Sequence, residues 1–420
     1  MASPKLHILV LAGGESTRVR TGAPKALLDL CGRPLLDYIL GAADSLAPES
    51  TTLVLGPTHQ EPIESWLKSS SRNGWKVVIQ PEARGTGDAV RCALAELPAE
   101  GRVLILCGDT PLLEADTLSF LAAQPGGALL SCLVEDPSGY GRILREESDG
   151  ALLRIVEEAD ADDEVRKVCE INAGVYVLDL PALHLAIAAL KTDNAQGELY
   201  LTDAAVQILS DTDGTVVCLE DGEEEVQGVN DLVDFASAVG SMRSRILEEH
   251  MLAGVILDDP NSTFIEDGVQ IAPGARIHPF SIIRRGVIVG ANCSVGPFAY
   301  LRPGTVLKDG AEVGNFVEVK NTEMGEGAKA KHLSYLGDAV IGAKANIGCG
   351  TITANYDGKA KHATHIGERA FIGSGTVLVA PVRVGDRAMT GAGAVVTRGH
   401  DVQDDQIVTG VPARPFPSSD

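Results

Sequence analysis

The sequence predicts two domains of different class, an α/β domain with a mostly parallel sheet followed by a parallel β-helix. Three observations support this prediction. Short apolar runs alternate with longer amphipathic ones between Leu6 and about Val229. After Gly254 an aliphatic residue recurs at every sixth position. Aromatic residues make up only 4% of the chain while glycine occurs 46 times, which suits a fold that is narrow and turns often.

The apolar runs of the first half are nearly continuous in Val, Ile and Leu, which is typical of parallel strands covered on both faces. The predicted strands are LHILVLA (6–12), TTLVLG (51–56), KVVIQ (76–80), VLILCGD (103–109) and GVYVLDL (174–180). Helix-like stretches lie between them, such as RPLLDYILGAADSL (33–46) and TGDAVRCALAEL (86–97). This alternation predicts an α/β domain over residues 1–229, with ligands at the carboxyl ends of its strands.

A linker helix is predicted over residues 230–252, where the sequence has helical spacing and no proline. The β-helix domain is predicted over residues 253–420. Its inward positions are nine aliphatic residues spaced by six, Ile271, Ile277, Ile283, Val289, Val295, Leu301, Leu307, Val313 and Val319. The register returns at Ile341, Ile347, Ile366, Ile372, Leu378 and Val384. Such hexapeptides form a prism in which each aliphatic residue points inward and small residues permit the corners.

Two polar segments interrupt this rhythm, GEGAKAKHLSYLGD (325–338) and NYDGKAKHATH (355–365). Insertions in a solenoid leave it as loops on one face, which is commonly the binding face. Both segments carry His, Lys and Tyr or Asn, whereas the coils are mostly apolar and small. We therefore expect functional loops here, and plain surface loops are the alternative.

Length and charge restrict the class of protein. A chain of 420 residues allows two or three domains and a large core. Lys and Arg number 35 against 58 Asp and Glu, so the formal net charge is −23. This excess repels phosphate backbones and anionic lipids, so neither a nucleic acid nor a membrane is expected as a partner.

The eight cysteines are scattered and include no C-x-x-C pair, which favours reduced thiols in a reducing compartment. The apolar run near the N-terminus ends at Gly13 and Gly14 and is interpreted as a buried strand instead of a signal peptide. No apolar stretch approaches the roughly 18 residues of a membrane span. A cytoplasmic location is expected.

Three segments of the first domain carry candidate chemistry. The glycine-rich loop 11–25 contains Arg18 and Lys25, and glycines with cations suit a phosphate group. The segment 80–90 adds Gln80 and Thr86 in a second glycine-rich turn. Asp109 follows an apolar strand, where a carboxylate is costly unless it is paired, caps a helix or binds a cation such as Mg²⁺.

These segments, with others of greater length, resemble the bifunctional bacterial enzymes that acetylate glucosamine 1-phosphate and then make UDP-N-acetylglucosamine. The resemblance covers nearly the whole chain. It is carried by LAGGESTRVR, GTGDAV, GDTPL, DPSGYGRI, IVEEADA, EINAGVY, NAQGELYLTD and VQGVND, then by GPFAYLRPG, VGNFVEVKN, KHLSYLGD, TITANYDG, FIGSGTVLVAP and GAGAVVTR. It implies a Rossmann-like nucleotidyltransferase (uridylyltransferase, or pyrophosphorylase) domain, a linker helix and a left-handed parallel β-helix with acetyltransferase activity.

In the first domain the resemblance implies a site for UTP, Mg²⁺ and N-acetylglucosamine 1-phosphate. Arg18 and Lys25 would neutralise charge during the reaction. The nucleotide would be held by Leu11, Gly14, Lys25, Gln80, Gly85 and Thr86. The metal would be held by Asp109 and Asn230, and the sugar phosphate by Gly141, Glu157, Asn172 and Thr202. The nucleophile is already an anion, so positioning and charge neutralisation suffice without a general base.

In the second domain the resemblance implies that His332 is the general base, because an ammonium group cannot attack a thioester. Glucosamine 1-phosphate would be bound by Arg302, Lys320, Tyr335, Asn346, Asn355, Tyr356 and Lys361. Acetyl-CoA would be lined by Gly348, Ser374 and Ala392. The resemblance also implies a homotrimer. His278 is expected to be an ordinary surface residue of a coil.

The chain departs from the family at a few positions. Ser16 replaces a usual glycine, Cys107 stands where tyrosine is common, and Gly410 falls where some members carry a basic residue. The early β-helix is also shorter than usual. These departures concern affinity and spacing more than chemistry.

Two other functions stay open from the sequence. One is a sugar-1-phosphate nucleotidyltransferase whose β-helix serves only for assembly, with a variant that uses another sugar or a thymidine nucleotide. The other is a non-enzymatic scaffold, which would be expected to lack Lys25, Asp109 or His332. All three of these residues are present.

Overall fold

The computed structural model describes residues 5–14, 18–19, 22–70, 72 and 74–416. Contacts divide the chain into two compact units, Met1–Ser241 and Met242–Asp420. All eight cysteines are free thiols. Across the described residues, every helix is too short or too polar to span a lipid bilayer.

The first unit is built on a large sheet. Its strands are β1 (Leu6–Ala12), β2 (Asp29–Leu30), β3 (Arg33–Pro34), β4 (Ser50–Leu55), β5 (Lys76–Ile79), β6 (Arg102–Cys107), β7 (Ala128–Leu133), β8 (Arg142–Arg145), β9 (Leu152–Val156), β10 (Glu170–Asp179) and β11 (Thr215–Leu219). Its helices are α1 (Leu35–Asp44), α2 (Gln60–Ser69), α3 (Thr86–Ala93), α4 (Ala115–Ala122), α5 (Leu180–Ala189), α6 (Leu201–Asp211) and α7 (Glu223–Val226). Helix α8 (Leu232–Leu252) follows, where the linker helix is predicted.

The main sheet has the strand order β11-β7-β10-β6-β1-β4-β5, and β8 and β9 extend it beside β10. Strands β1, β4, β5 and β6 run parallel to one another, whereas β10 runs antiparallel to its neighbours β6 and β7. The mostly parallel sheet predicted from the sequence is confirmed. Ile8, Leu9 and Val10 of β1 are all fully buried, as a central strand covered on both faces requires.

The second unit consists of parallel strands stacked coil upon coil, except for the last strand, which pairs antiparallel with its neighbour. They are β12 (Ile256–Leu257), β13 (Phe264–Ile265), β14 (Gln270–Ile271), β15 (Arg276–Ile277), β16 (Ile282–Ile283), β17 (Ile288–Val289), β18 (Ser294–Val295), β19 (Tyr300–Leu301), β20 (Val306–Leu307), β21 (Glu312–Lys320), β22 (Glu323–Met324) and β23 (Lys329–Gly337). The later strands are β24 (Ala339–Ile341), β25 (Asn346–Ile347), β26 (Ile352–Ala354), β27 (Thr364–Ile366), β28 (Phe371–Ile372), β29 (Val377–Val379), β30 (Val382–Val384), β31 (Met389–Thr390), β32 (Val395–Val396), β33 (Ile407–Thr409) and β34 (Arg414–Pro415).

These strands make the three faces of the β-helix. One face is the sheet β14-β17-β20-β22-β24-β27-β30. The other two faces join where the long strands β21 and β23 turn a corner. Every aliphatic residue predicted to point inward is buried, and Ile271, the most exposed of them, is 9% accessible. The hexapeptide β-helix is thereby confirmed.

The structure corrects the prediction that residues 325–338 are an inserted loop. Lys329–Gly337 forms strand β23, which pairs with β21 over most of its length. The inward rhythm continues through Met324, Ala330 and Leu336, all fully buried. Register partners are 18 residues apart in the preceding coils and 17 apart here, as in Glu312 and Lys329, so one six-residue step is shortened to five. The polar side chains that suggested a loop are outward positions of a strand.

Residues 355–365 do interrupt a coil. Register partners across this coil, Asn346 and Phe371, are 25 residues apart instead of 17 or 18. The extra residues form a loop closed by the bridge between Tyr356 and Lys361. Here the sequence-based interpretation of an insertion agrees with the structure.

The inward-pointing aliphatic residues of the β-helix allow a prediction about its stability. Ile283 is fully buried, whereas its neighbour Ile282 is 39% exposed. We expect Ile283→Ala to lower the stability of the second unit by about 2–5 kcal/mol, because the cavity left in a filled prism cannot collapse. The matched control Ile282→Ala should cost less than about 1 kcal/mol.

The two unfolding transitions can be followed separately. Both tryptophans, Trp66 and Trp75, lie in the first unit, so urea unfolding followed by tryptophan fluorescence reports on that unit. Ile283→Ala should shift a transition seen by circular dichroism but not the fluorescence transition. Equal shifts for the two isoleucine variants would contradict the inward assignment.

Candidate active sites

The first unit contains a cleft of about 770 Å³. It lies where β1 and β6 end, because Leu11 and Cys107 are register partners and both line it. Nine residues predicted for the first site line this cleft, namely Leu11, Arg18, Thr86, Asp109, Gly141, Glu157, Asn172, Thr202 and Asn230. Side chains separated by long stretches of sequence are therefore brought to one edge of the sheet, as expected for a parallel sheet.

Two cations and two oxygen ligands meet on one side of the cleft. Lys25 Nζ lies 2.8 Å from Asp109 Oδ2, and Arg18 Nη2 donates to Asn230 Oδ1 at 3.0 Å. The backbone N–H of Val229 donates to the Asp109 carbonyl at 2.8 Å, which holds Asn230 beside Asp109. Each cation is thus paired with one of the two predicted metal ligands.

The space beside Asp109 and Asn230 fits a small hard cation. A Cβ added at Gly228 would lie 4.0 Å from Asp109 Oδ1 and 3.8 Å from Asn230 Nδ2, so glycine leaves this space open between them. One carboxylate and one amide are the kind of partial ligand set that Mg²⁺ completes with phosphate oxygens and water. Among the described residues, no cluster of three or more His, Cys, Asp or Glu could hold a metal by itself.

The four predicted sugar-phosphate residues line the same cleft and contact one another in pairs. The Asn172 N–H donates to the Gly141 carbonyl at 2.8 Å. The Thr202 hydroxyl donates to Glu157 Oε1 at 3.0 Å. A Cβ at Gly141 would lie 3.3 Å from Glu157 Oε2, so glycine is what allows this carboxylate to reach the cleft.

Two adjacent glutamates have opposite environments. Burial raises the pKa of Glu157, and the hydrogen bond from Thr202 only partly opposes this. The pKa of Glu158 is lowered by its hydrogen bond from Arg142, whose Nη2 lies 2.8 Å from Glu158 Oε2. Glu158 also accepts from the Gly139 N–H at 3.2 Å. Glu157 therefore faces the cleft while Glu158 anchors the loop that lines it.

Four predicted nucleotide residues do not line this cleft, and one of them, Lys25, is connected to it by its contact with Asp109. Gln80 lines a smaller neighbouring cavity and donates to the Gly85 carbonyl at 3.1 Å. Gly85 has a φ of +100°, and a Cβ there would lie 2.5 Å from the Leu199 carbonyl oxygen, so only glycine fits. Gly14 lies open at the end of the first strand, with no neighbouring atom within 4 Å of an added Cβ. Ser16 falls outside the described residues.

Tyr176 also belongs to this cleft, although it is not among the predicted site residues. Asn172 Nδ2 donates to the Tyr176 hydroxyl at 2.6 Å, while Asn172 Oδ1 accepts from the Gly174 N–H at 3.1 Å. Tyr176 is buried and lines the cleft, so it fixes the orientation of the Asn172 amide. Its position at the end of the motif EINAGVY is the signal that could have identified it.

Cys107, one of the departures from the family, lies in the floor of the cleft. Its thiol donates to the Gly174 carbonyl at 3.5 Å, and a Cβ at Gly174 would lie 2.8 Å from Cys107 Sγ. Burial raises the pKa of Cys107 to about 12. At neutral pH the group is a neutral thiol that fills space.

The second unit presents a different set of groups around His332. The Asn315 amide oxygen accepts a hydrogen bond from His332 Nδ1 at 2.9 Å, so Nε2 is left with its lone pair. Asn315 and His332 are register partners on β21 and β23. Asn315 is a second residue that the sequence analysis missed. Asn315 precedes His332 by 17 residues, which is the length of one coil, and this spacing could have identified it from the sequence.

Two lysines come together near Tyr335. The Lys320 ammonium group beside Lys361 lowers the pKa of Lys361, and Asp338 opposes this effect more weakly. Asp338 accepts hydrogen bonds from Asn321 Nδ2 at 2.6 Å and from Asn355 Nδ2. Two adjacent ammonium groups repel each other, and a bound dianion such as a phosphate monoester relieves that repulsion.

The remaining acceptor residues border this pair. Asn355 Nδ2 lies 3.4 Å from the Tyr335 hydroxyl, and Tyr356 forms a backbone bridge with Lys361. Arg302 Nη1 lies 2.7 Å from Glu318 Oε1, and this contact raises the pKa of Arg302. Five of the seven predicted acceptor residues are thus linked directly or through one neighbour, and Arg302 is connected to them through Glu318, the register partner of Tyr335. Asn346 lies apart from them, as the register partner of Lys329.

The inserted loop is held by Asp357. Its Oδ1 accepts from the backbone N–H groups of Lys359 and Ala360, at 2.9 and 2.8 Å. Its Oδ2 lies 2.7 Å from His362 Nε2 and 3.1 Å from Arg398 Nη2. These contacts lower the pKa of Asp357 strongly. The loop that carries Asn355, Tyr356 and Lys361 is therefore fixed to the β-helix.

The residues predicted to line acetyl-CoA lie on successive coils. A Cβ at Gly348 would lie 2.6 Å from the backbone nitrogen of Ser374, and one at Gly373 would lie 2.8 Å from that of Ala392. The first of these coils, which carries Gly348, lies next to the coil of His332, because the Gly350 N–H donates to the Leu333 carbonyl at 2.7 Å. Gly410, another departure, lies farther along the chain with a φ of +90°.

Each of the two units contains a segment that matches a model of a known protein family. Residues 8–175 match the model described as MobA-like NTP transferase domain. Residues 363–398 match the model described as bacterial transferase hexapeptide, six repeats.

Curated relatives match nearly the full length. The bifunctional protein GlmU of Pelobacter propionicus is 42% identical over 93% of this chain and 93% of its own. That of Thermobifida fusca is 42% identical over 91% of this chain and 88% of its own. That of Mycobacterium bovis is 39% identical over 90% of this chain and 85% of its own.

The contrast between Glu157 and Glu158 predicts opposite effects on stability. Because the folded-state pKa of Glu157 is raised, its ionised form destabilises the fold once the pH exceeds the unfolded pKa of about 4.3. Glu157→Gln should therefore raise the urea midpoint of the first unit at neutral pH. Glu158 has a lowered pKa, so its stabilisation is present above about pH 4.3 and is lost as the pH falls through the folded pKa.

Glu158→Gln should accordingly lower the same midpoint at neutral pH. Tryptophan fluorescence during urea unfolding measures both variants against the parent at neutral pH and below about pH 4, where both differences should shrink. Shifts of the same sign at neutral pH would refute the assigned environments.

Proposed function

The chain belongs to the family of bifunctional GlmU proteins, and on that basis we propose a role for each residue of its two sites. The protein is a bifunctional transferase, with uridylyltransferase and acetyltransferase activities. In the proposal, the second unit acetylates glucosamine 1-phosphate with acetyl-CoA. The first unit then joins the product to the uridylyl group of UTP. The observation that carries the proposal is the His332–Asn315 pair, which lies on the strands that also carry Lys320 and Tyr335.

His332 acts as the general base of acetyl transfer. Its Nε2 removes a proton from the glucosamine amino group while the nitrogen attacks the thioester carbonyl. The carbon–sulfur bond then breaks, and the departing thiolate of coenzyme A takes up a proton. A histidine held as the Nδ1–H tautomer suits this task, because the lone pair of its Nε2 can accept the proton.

The lysine pair binds the phosphate group of the acceptor. Lys320 and Lys361 supply adjacent positive charges, and Arg302 adds a planar guanidinium group. The hydrogen-bonding groups of Tyr335, Asn346, Asn355 and Tyr356 hold the sugar. Gly348, Ser374 and Ala392 line the acetyl-CoA, where stacked small residues let an extended molecule lie along the coils.

In the first unit a phosphate oxygen of N-acetylglucosamine 1-phosphate attacks the α-phosphorus of UTP, and pyrophosphate leaves. Gly141, Glu157, Asn172 and Thr202 hold the sugar phosphate. Leu11, Gly14, Gln80, Gly85 and Thr86 hold the nucleotide. Arg18 and Lys25 exchange their present contacts with Asn230 and Asp109 for the negative charge of the phosphates.

Asp109 and Asn230 are proposed to hold Mg²⁺ in the space that Gly228 leaves open. When bound, Mg²⁺ supplies a Lewis acid that neutralises phosphate charge. The remaining ligands would be phosphate oxygens and water.

A homotrimer in the cytoplasm is the proposed form of the protein. Phe280, Phe298 and Phe316 stack on successive coils, with ring centroids 4.8 and 5.1 Å apart, and all are about half exposed. An exposed aromatic ladder supports association between copies. The free thiols of all eight cysteines support a reducing compartment.

Two variants test the proposed roles reciprocally. His332→Ala should abolish thiol release from acetyl-CoA with glucosamine 1-phosphate, with a loss of at least about a hundredfold, because the base is removed. Asp109→Asn should similarly reduce pyrophosphate release from UTP and N-acetylglucosamine 1-phosphate. Each variant should keep the activity of the other unit, which serves as its folding control.

If the parent protein transfers the uridylyl group but releases no thiol, the β-helix serves for assembly. The roles proposed for His332 and the other residues of the acetyltransferase site are then wrong. If His332→Ala retains full thiol release, another group is the base.

Asn315 gives a sharper test of the tautomer. Asn315→Ala should lower kcat of acetyl transfer by about tenfold or more with little change in KM, because the imidazole loses its fixed tautomer. Asn315→Asp should move the acidic limb of the pH–rate profile to higher pH, because a carboxylate beside Nδ1 favours the protonated ring. Uridylyl transfer measures folding in both variants. Unchanged pH profiles and kcat would rule out a positioning role.

A further inference from the structure

Three side chains at the start of the β-helix form a cluster outside both sites. Asp258 follows β12, His278 follows β15 and Ser294 begins β18, so each lies on a different coil. Leu257 pairs with Ile277, which places Asp258 opposite His278. Arg276 pairs with Ser294, which places Ser294 diagonally across from His278 on the same outward face.

The cluster connects a carboxylate, an imidazole and a hydroxyl in series. His278 Nδ1 lies 2.7 Å from Asp258 Oδ2, and His278 Nε2 lies 3.1 Å from Ser294 Oγ. A carboxylate can only accept a hydrogen bond, so Nδ1 carries the proton. In the neutral ring Nε2 is then the acceptor, and the Ser294 hydroxyl donates to it. This is the arrangement by which a histidine activates a serine nucleophile.

Neighbouring residues hold the cluster in place. Arg276 Nε lies 3.2 Å from Asp258 Oδ1, so the other carboxylate oxygen stays directed at His278. A Cβ at Gly296, on the next coil, would lie 3.2 Å from His278 Cβ, so glycine leaves room for the imidazole to reach Ser294. His278 and Asp258 are 26% and 29% exposed, which leaves the cluster within reach of a small reagent.

The backbone around Ser294 provides no oxyanion hole. The Ser294 N–H donates to the Ala311 carbonyl at 3.1 Å, and the Gly296 N–H donates to the Val313 carbonyl at 2.8 Å. A missing oxyanion donor costs about a hundredfold to a thousandfold in rate. The cluster therefore suits acyl donors with good leaving groups, and turnover should be slow.

We propose that Ser294 is a nucleophilic acylation site for activated esters and thioesters, with His278 as its base and Asp258 orienting His278. The Ser294 oxygen attacks the acyl carbon, and its proton passes to His278 Nε2. The bond from the acyl carbon to the leaving oxygen or sulfur breaks, and the proton neutralises the leaving group. The product is an acyl ester on Ser294, which water hydrolyses slowly to the free acid. This inference stands independently of the proposed function.

The test uses p-nitrophenyl acetate on the full-length protein. We expect a burst of nitrophenolate equal to one acetyl group per chain, found by peptide mass spectrometry on Ser294. Ser262 is an internal control, because its hydroxyl donates to Asp259 Oδ2 at 2.6 Å and, within the part of the chain that the structure describes, it bonds to no histidine. Ser294 should be acetylated at least about tenfold faster than Ser262.

Variants separate activation from simple exposure. Ser294→Ala should remove the burst, and His278→Gln and Asp258→Asn should each slow acetylation of Ser294 about tenfold or more. Circular dichroism and uridylyl transfer should be unchanged in all three. Equal acetylation of Ser294 and Ser262 in the parent overturns the proposal, as does labelling of Ser294 that neither His278→Gln nor Asp258→Asn slows.

Discussion

Parallel backbone pairing is the constraint on which both units depend. In the first unit it ends β1 and β6 at the same edge, so Leu11 and Cys107 face one cleft. In the second it stacks the coils so that the next residue in register lies one coil further along, as with Asn315 and His332. The ladder holds because the inward positions are filled by aliphatic side chains that are almost completely buried. Strand register therefore places many of the groups proposed for the two sites, and the inserted loop held by Asp357 adds Asn355, Tyr356 and Lys361.

The charge at the two proposed sites differs in sign from the charge of the whole chain. The net charge of the chain is −23, yet each proposed site contains positively charged side chains. In the first unit Lys25 and Arg18 rest on Asp109 and Asn230, so the cations are neutralised or hydrogen bonded. In the second unit Lys320 and Lys361 adjoin each other and are tolerated because they remain near solvent. Anionic substrates are attracted to such local patches although the protein as a whole repels them.

The β-helix places two histidines in contrasting partnerships. His332 donates to an amide oxygen, which sets the tautomer without adding charge. His278 lies against a carboxylate, which orients its ring so that Nε2 faces Ser294. In both cases the partner of the imidazole is a single residue on the preceding coil.

The sequence by itself determined the sheet class and the inward aliphatic positions of the β-helix, and its resemblance to a known family pointed to nine of the residues that line the first cleft. These follow from local periodicity and from motifs of contiguous residues, which need no knowledge of distant contacts. Only the tertiary structure shows which outward side chains contact each other. The residues that face each other on neighbouring coils depend on the number of residues in each coil, which varies along the chain. Residues 325–338 were predicted to be a loop since the step shortened from six to five, yet they continue the prism. Asn315, Tyr176 and the cluster of Asp258, His278 and Ser294 emerged only when register brought their partners into contact.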